Sequence, residues 1–264
     1  MFKFMLTALL IVSASLRATD KEFVIFIASY NNEPWCEWNL KSVLSQKYKN
    51  FRIIYVDDCS KDRTSQVVQK IMRGQDPDKR ITYIRNEQRQ GAMYNQYMVV
   101  HNLCRDNEII VIVDGDDALA GEGVLSYLNK VYSSGDIWLT YGQYVERYGG
   151  AMGWCQEAPH DLVKRNAFRK WERAPSHLRT YYAWLFKSIK KEDLLWEDGN
   201  FLPMTCDLAT MMPMIEMARD HFKFIPHILY IYNNHNPISD HMVDAGLQKR
   251  VDEYVRGIKP YKPL

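Results

Sequence analysis

The chain has no Cys-x-x-Cys pair, and its five cysteines (Cys36, Cys59, Cys104, Cys155 and Cys206) are scattered and odd in number. That spacing offers neither a zinc site nor a disulfide framework and leaves buried free thiols as the reading. Charge of one sign is also missing. The 34 basic residues almost cancel the 32 acidic ones, for a formal +2, so bulk electrostatics give no footprint for nucleic acid or an anionic membrane surface. Beyond the first turns of the chain there is no long apolar run. A transmembrane helix needs about 20 apolar residues, which argues against a multi-span membrane region. No internal repeat and no low-complexity tract is visible.

What is present is globular: 264 residues, 47% hydrophobic and 25% charged, enough for one large domain with a sizeable core. Aromatic residues reach 13%, with 7 Trp and 17 Tyr. Core packing accounts for most of these, and a sugar-stacking surface is the minor reading. The N-terminus stands apart. "MFKFMLTALLIVSASLRATD" carries Lys3, an apolar run from Phe4 to Val12, and small residues around Ser13 and Ala14. This is the pattern of a signal peptide over residues 1–19, or else of a short apolar extension. The first reading places the protein in a secretory lumen (endoplasmic reticulum or Golgi) or outside the cell. The second leaves it in the cytoplasm.

From residue 22 the chain alternates. "EFVIFIAS" (22–29), "FRIIYVDD" (51–58), "RITYIRN" (80–86) and "NEIIVIVD" (107–114) are continuous apolar runs, as expected of strands buried on both faces. Helical spacing separates them at 35–46, 65–72 and 91–104, and a further helix is expected at 123–132 before a strand at 136–142. The alternation predicts an α/β layer with a mostly parallel central sheet flanked by helices. After about residue 150 the pattern loosens. Residues 177–189 read as a helix, as do 206–218 despite Pro213. "FKFIPHILYIYN" (222–233) reads as two short strands broken by Pro226.

In such sheets, ligands gather at the carboxyl ends of the strands. Three strands here end in polar clusters: "SYNN", "DDCS" and "DGDD". Asp114, Asp116 and Asp117 crowd a tight turn around Gly115. Clustered hard oxygens suit Mg²⁺ or Mn²⁺, which share their remaining positions with substrate phosphates. The plain alternative is that these residues cap the turn and the helix after it.

"IASYNN" (27–32), "VDDCSKDRT" (56–64), "RNEQRQGAMYNQ" (85–96) and "VDGDD" (113–117) stand in an order and spacing that resembles the family 2 glycosyltransferases, inverting enzymes of the GT-A fold. The resemblance covers roughly residues 22–140. It implies a nucleotide-sugar-binding half over residues 20–140 and an acceptor-binding half of the same domain over residues 141–264. The implied reaction moves a sugar from a nucleotide-diphosphate donor, UDP-sugar favoured, to a hydroxyl of a glycan, lipid or protein acceptor. Ala28 and Tyr30 would lie at the nucleotide, and Asp58 would accept from the imide N–H of the base. Asp57 would hold that loop or the ribose. Arg89, with Gly91 and Asn95 nearby, would face phosphate or donor sugar. Asp116 and Asp117 are the expected metal ligands, with Asp114 toward the ribose and His235 as a further contact to metal and diphosphate.

The same resemblance puts a catalytic carboxylate at the start of a downstream helix. "TCDLATMMPMIEMA" makes that residue Asp207, preceded by Cys206 where the family often has Glu. An inverting transferase needs one carboxylate to take the acceptor's proton. Asp193, Glu197 and Asp198 are rivals for that role, and helix-dipole compensation is the structural alternative for Asp207. Tyr181, Tyr182 and Trp184 could stack on a sugar, although a core face suits them better. Two other functions compete. One is a haloacid-dehalogenase-like phosphatase using Asp114 as nucleophile, disfavoured because three strand–helix units precede the motif. The other is a non-catalytic nucleotide- or glycan-binding module, which needs no base. A sugar-nucleotide synthase is weaker, for want of a glycine-rich phosphate loop near the N-terminus.

Overall fold

The structure, a computed structural model, describes residues 20–172 and 175–264. The expected signal peptide lies outside the described residues. Among those described, no helix is long and apolar enough to cross a membrane.

The first half alternates strand and helix: β1 (Phe23–Ser29), α1 (Cys36–Leu44), β2 (Phe51–Asp57), α2 (Thr64–Gln75), β3 (Ile81–Arg85), α3 (Ala92–Leu103), β4 (Ile109–Ile112), the short β5 (Ala118–Leu119) and α4 (Val124–Ser133). The second half holds β6 (Leu139–Glu146), α5 (His160–Lys164), β7 (Arg179–Tyr182), α6 (Ala183–Lys187), α7 (Cys206–Ala218), β8 (Phe222–Tyr232), α8 (Asp240–Val243) and α9 (Ala245–Gly257). All strands join one eight-stranded sheet in the order β3-β2-β1-β4-β7-β6-β8-β5. The β3-β2-β1-β4 block is parallel. β7 enters antiparallel between β4 and β6.

Period-2 alternation sorts the strand residues onto two faces. Ile25, Ile27, Ile53, Tyr55, Val111 and Val113 pack with Leu40, Val43, Val68 and Leu128 from the helices on one side. Val24, Phe26, Ile54, Val56 and Ile110 pack with Met93, Val100 and the methionines of α7 on the other. Burial on both faces explains the unbroken apolar runs. α7 is apolar all round because it is the core helix of the second layer, with every residue from Leu208 to Ala218 buried.

Two expectations are corrected. Residues 177–189 are not one helix. Arg179–Tyr182 form β7, paired with β4 and β6, and only Ala183–Lys187 are helical. The β-branched and aromatic "RTYY" fits an interior strand, and tertiary pairing overrides the helical spacing. Residues 222–232 are one strand, not two. The pairing with β6 jumps from Gly142↔Ile225 to Gln143↔Ile228, so Pro226 sits within a register shift. There its missing N–H leaves no ladder bond unmade.

One buried ion pair fastens the second layer. Arg169 donates to both carboxylate oxygens of Glu216 on α7, at 2.6 and 3.0 Å, and the same carboxylate accepts from the backbone N–H of Tyr261 at 3.0 Å. Arg169→Met leaves the Glu216 charge unpaired in the core and should cost about 3–5 kcal/mol. Arg169→Met/Glu216→Leu should recover most of that loss in urea unfolding. Equal unfolding midpoints for the single and double variants would show that the pair does not anchor this layer.

Candidate functional site

β1, β2, β3 and β4 run parallel, so the loops after them meet at one edge. The first two loops are stitched together by short bonds. The N–H of Asn31 donates to Ser60 Oγ at 2.9 Å, and that of Asn32 donates to Thr64 Oγ1 at 2.9 Å. Asp57 is fully buried and accepts from the Ser60 N–H (2.8 Å) and the Tyr83 hydroxyl (2.8 Å). Asp58 accepts from Asn86 Nδ2 at 2.7 Å and from the N–H groups of Gln90 and Gly91 at 2.9 and 2.8 Å. A carboxylate offers about four acceptor directions, so Asp58 holds the 86–91 loop and keeps one direction over. That loop brings Arg89 across the Tyr30 ring, guanidinium carbon to centroid 4.2 Å. The Ala28 carbonyl accepts from the Gly115 N–H at 3.1 Å, which ties β1 to the acidic turn. Ala28, Tyr30, Asp57, Asp58 and Arg89 thus lie together where β1, β2 and β3 end.

The acidic turn is clamped from beneath. Asn39 on α1 donates through Nδ2 to the carbonyls of Asp114 (2.9 Å) and Asp117 (2.8 Å). Gly115 is required by close approach, because a Cβ there would stand 2.7 Å from Ser29 Oγ and from Asn32 Nδ2. Asp117 is buried and accepts from the Tyr230 hydroxyl at 2.7 Å and the Asn233 N–H at 2.6 Å. Asp116 accepts from Asn236 Nδ2 at 2.7 Å. Burial and the adjoining carboxylates push Asp116 up to about 6 and Asp117 well above its ordinary value. Asp114 is raised as well, by burial first and by Asp207, against the pull of Arg179. Three carboxylates with raised affinity for protons form a site that a cation would discharge.

β7 supplies what the sequence reading missed. Arg179 is buried, and its Nη2 donates to Asp114 Oδ2 at 3.1 Å while Nη1 lies 3.8 Å from Asp207 Oδ2. His177 stacks on Tyr230, centroids 4.5 Å apart, with its Nδ1 3.9 Å from Asp114 Oδ2 and without a hydrogen-bond partner among the described residues. Burial, then Arg179, drives its imidazole well below the ordinary value, so it is neutral. Asp114, Asp117 and His177 each place a ligand atom within 4.8 Å of the others, among the described residues. Two carboxylates and a neutral imidazole with an orphaned nitrogen fit a Mn²⁺-type donor set.

Of the expected ligands, Asp117 is in this group. Asp116 is beside it, with one oxygen turned to Asn236. His235 is exposed and stacks on Tyr148 at 4.1 Å, outside the group. Asp207 sits in the first turn of α7, with 41% of its side chain exposed, and its Oδ1 accepts from the Leu208 N–H at 2.8 Å. Of its rivals, Asp193 is bonded to the Tyr261 hydroxyl, Asp198 folds back on Asn200, and Glu197 is exposed in that same turn. Tyr181, Tyr182 and Trp184 are core residues: Tyr181 is fully buried and bonded to Gln96, Tyr182 meets Tyr132 edge-on, and Trp184 meets Trp138. A strand reading of "HLRTYY" would have placed His177 and Arg179 beside β4. Asn39 and Tyr230 carried no local signal.

The family model described as "Glycosyl transferase family 2" matches residues 24–186. The chain therefore belongs to glycosyl transferase family 2. It is 27% identical over 222 residues to the glycosyltransferase GlyG of Streptococcus pneumoniae, covering 79% of this chain and 69% of that protein. It is 31% identical over 112 residues to a GalNAc(5)-diNAcBac-PP-undecaprenol beta-1,3-glucosyltransferase of Campylobacter jejuni, covering 42% of this chain and 34% of that one. It spans less than half of the relative from Haemophilus influenzae, 46% of its length, at 26% identity. Among solved structures, S. aureus TarS 1-349 in complex with UDP-GlcNAc superposes with a TM-score of 0.57 at 16% identity, over 84% of this chain and 60% of that one. The mannosyltransferase PcManGT from Pyrobaculum calidifontis, in complex with GDP-Man and Mn²⁺, gives 0.52 at 18%, over 80% and 56%. The fold is the GT-A type, which removes the phosphatase reading of Asp114.

Gly115→Ala should lower unfolding stability by about 1–3 kcal/mol through overpacking against Ser29 and Asn32. Chemical denaturation measures it, and a change under half a kcal/mol would mean that the turn sits less tightly on β1 than the contacts imply.

Proposed function

We propose that the protein is an inverting, metal-assisted glycosyltransferase. It moves a sugar from a nucleotide-diphosphate donor, UDP-sugar favoured, to a hydroxyl of a glycan, lipid or protein acceptor. The observation that carries this reading is the reach of one buried guanidinium. Arg179 lies between Asp114 on the donor turn and Asp207 on α7, 93 residues further along the chain. A candidate base and a candidate diphosphate site therefore share one cleft.

Residues 20–140 would bind the nucleotide and residues 141–264 would shape the acceptor side. Asp58 would accept from the base imide through its unused direction, while Tyr30 and Arg89 border the base and Asp57 keeps the loop in place. Asp114 and Asp117 with His177 would hold Mn²⁺ or Mg²⁺, and Asp116 would complete the acidic face. When bound, the ion would neutralise charge on the departing diphosphate. Asp207 would take the proton of the acceptor hydroxyl as that oxygen attacks the anomeric carbon. The bond from this carbon to the diphosphate oxygen breaks, its electron pair leaves with the nucleoside diphosphate, and configuration inverts. Arg179, 3.8 Å from Asp207, would orient that carboxylate and add positive charge near the leaving group.

The structural likeness to TarS, solved with UDP-GlcNAc, and to PcManGT, solved with GDP-Man and Mn²⁺, supports the donor and ion classes. A thermal-shift panel of UDP-, GDP- and dTDP-sugars with and without Mn²⁺ tests them. UDP-sugar with Mn²⁺ should stabilise the protein, and Asp116→Asn and Asp117→Asn should reduce that gain. A folded protein that no donor stabilises in a metal-dependent way would sink the donor-site assignment. Asp207→Asn should cut kcat by about 10²–10⁴ while leaving the UDP–Mn²⁺ shift in place. Turnover near the wild-type rate would remove Asp207 as base, and a protein whose measured functions all survive this change is a binding module.

A further inference from the structure

Beside Asp207 lies a cavity of roughly 330 Å³ lined by Trp154, Glu172, Leu208, Gln248, Asp252 and others. That volume lies at the low end of small-molecule sites. Its walls come from three places: the segment after β6, the first turn of α7, and one face of α9. None of them belongs to the loops at the ends of β1, β2 or β3.

Trp154 is held in position by its neighbours. Met152 bridges to Val145, and the Gly153 N–H donates to the Tyr144 carbonyl at 2.9 Å. The backbone at Gly153 packs so tightly that a Cβ would stand 2.5 Å from Gln143 Oε1 and from the Tyr144 ring. With its other contacts made, Trp154 is still 46% exposed. A flat aromatic face carries negative charge at its centre, and the C–H face of a pyranose ring matches it.

The polar lining chooses among acceptor chemistries. Among the described residues, Asp207, Glu172 and Asp252 oppose Lys249 and Arg256. Arg256 is already engaged: it donates to Asp252 Oδ1 at 2.6 Å and to the Trp171 carbonyl at 2.6 Å. Lys249 is an exposed partner of Glu253 at 3.9 Å. Carboxylates accept hydroxyl protons and repel phosphate, and Gln248 both donates and accepts.

We propose that this cavity is the acceptor subsite and that it takes an uncharged hexopyranose ring, stacked on Trp154, with one hydroxyl at Asp207. The inference rests on Asp207 facing the acceptor, as in the function proposed above. The bound unit is a sugar ring and not a polyol phosphate.

Saturation-transfer NMR on the full chain tests it, using methyl α- and β-glycosides of glucose, galactose, N-acetylglucosamine and N-acetylgalactosamine, with sn-glycerol 3-phosphate as competitor class. Each is measured with and without UDP and Mn²⁺. At least one glycoside should bind, and Trp154→Ala should weaken it about tenfold. Gln248→Leu, on a different element, should weaken it as well, while both variants keep the wild-type UDP–Mn²⁺ thermal shift. No glycoside binding under either condition, stronger binding of glycerol 3-phosphate, or glycoside binding unchanged in both variants would overturn the proposal. Glycoside binding that depends on Trp154 in a protein that ignores UDP–Mn²⁺ would support the subsite and count against the donor reading instead.

Discussion

The second half of the cleft is organised around a cation that has been taken out of water. Arg179 is buried on an interior strand, and a buried guanidinium costs several kcal/mol unless carboxylates answer it. Asp114 and Asp207 do so at its two terminal nitrogens, at 3.1 and 3.8 Å. Burial first, and then the same charge, lowers the proton affinity of the neighbouring imidazole of His177. One residue thereby faces carboxylates on both the acidic turn and α7, and β7 can hold it there because its backbone is bonded to β4 and β6.

Around this charge the rest of the site is shaped mostly by uncharged donors. Asn39, Asn233, Asn236 and Tyr230 satisfy the acidic turn without cancelling its charge. Buried polar groups of this kind are expensive when unmet and stiffen a structure when met. The turn is therefore formed before any ligand arrives, and its raised carboxyl affinities are the electrostatic counterpart of that preformation. The 233–236 loop also joins the acidic turn to the chain that leads into α8 and α9.

Much of this was legible in the sequence, for a definite reason. Strands buried on both faces show as unbroken apolar runs, and their polar ends mark the ligand edge, so Asp58, Asp114, Asp116 and Asp117 could be placed from "VDDCS" and "VDGDD" alone. Asp207 was pointed to by the family resemblance, and it lies in the first turn of α7. The losses came where local and tertiary signals disagree. "HLRTYYAWLF" has helical spacing, yet its first part is an interior strand, and with that misreading His177 and Arg179 disappeared from view. Pro226 looked like a break because a bulge in the pairing cannot be seen from one strand. Asn39 is an asparagine on a helix with nothing nearby in sequence to mark it, and its two partners lie 75 and 78 residues away.

The clamp at Asn39 has a consequence for how such a site can change over generations. It grips the backbone carbonyls of residues 114 and 117, which every residue type carries, and so does not itself read their side chains. Part of the loop's shape is thus held independently of the carboxylates it carries. Substitutions at the part-exposed Asp114 and Asp116 would change the charge of the turn while the backbone beneath them stays clamped, whereas drift at Asn39 or Gly115 would disturb that backbone directly.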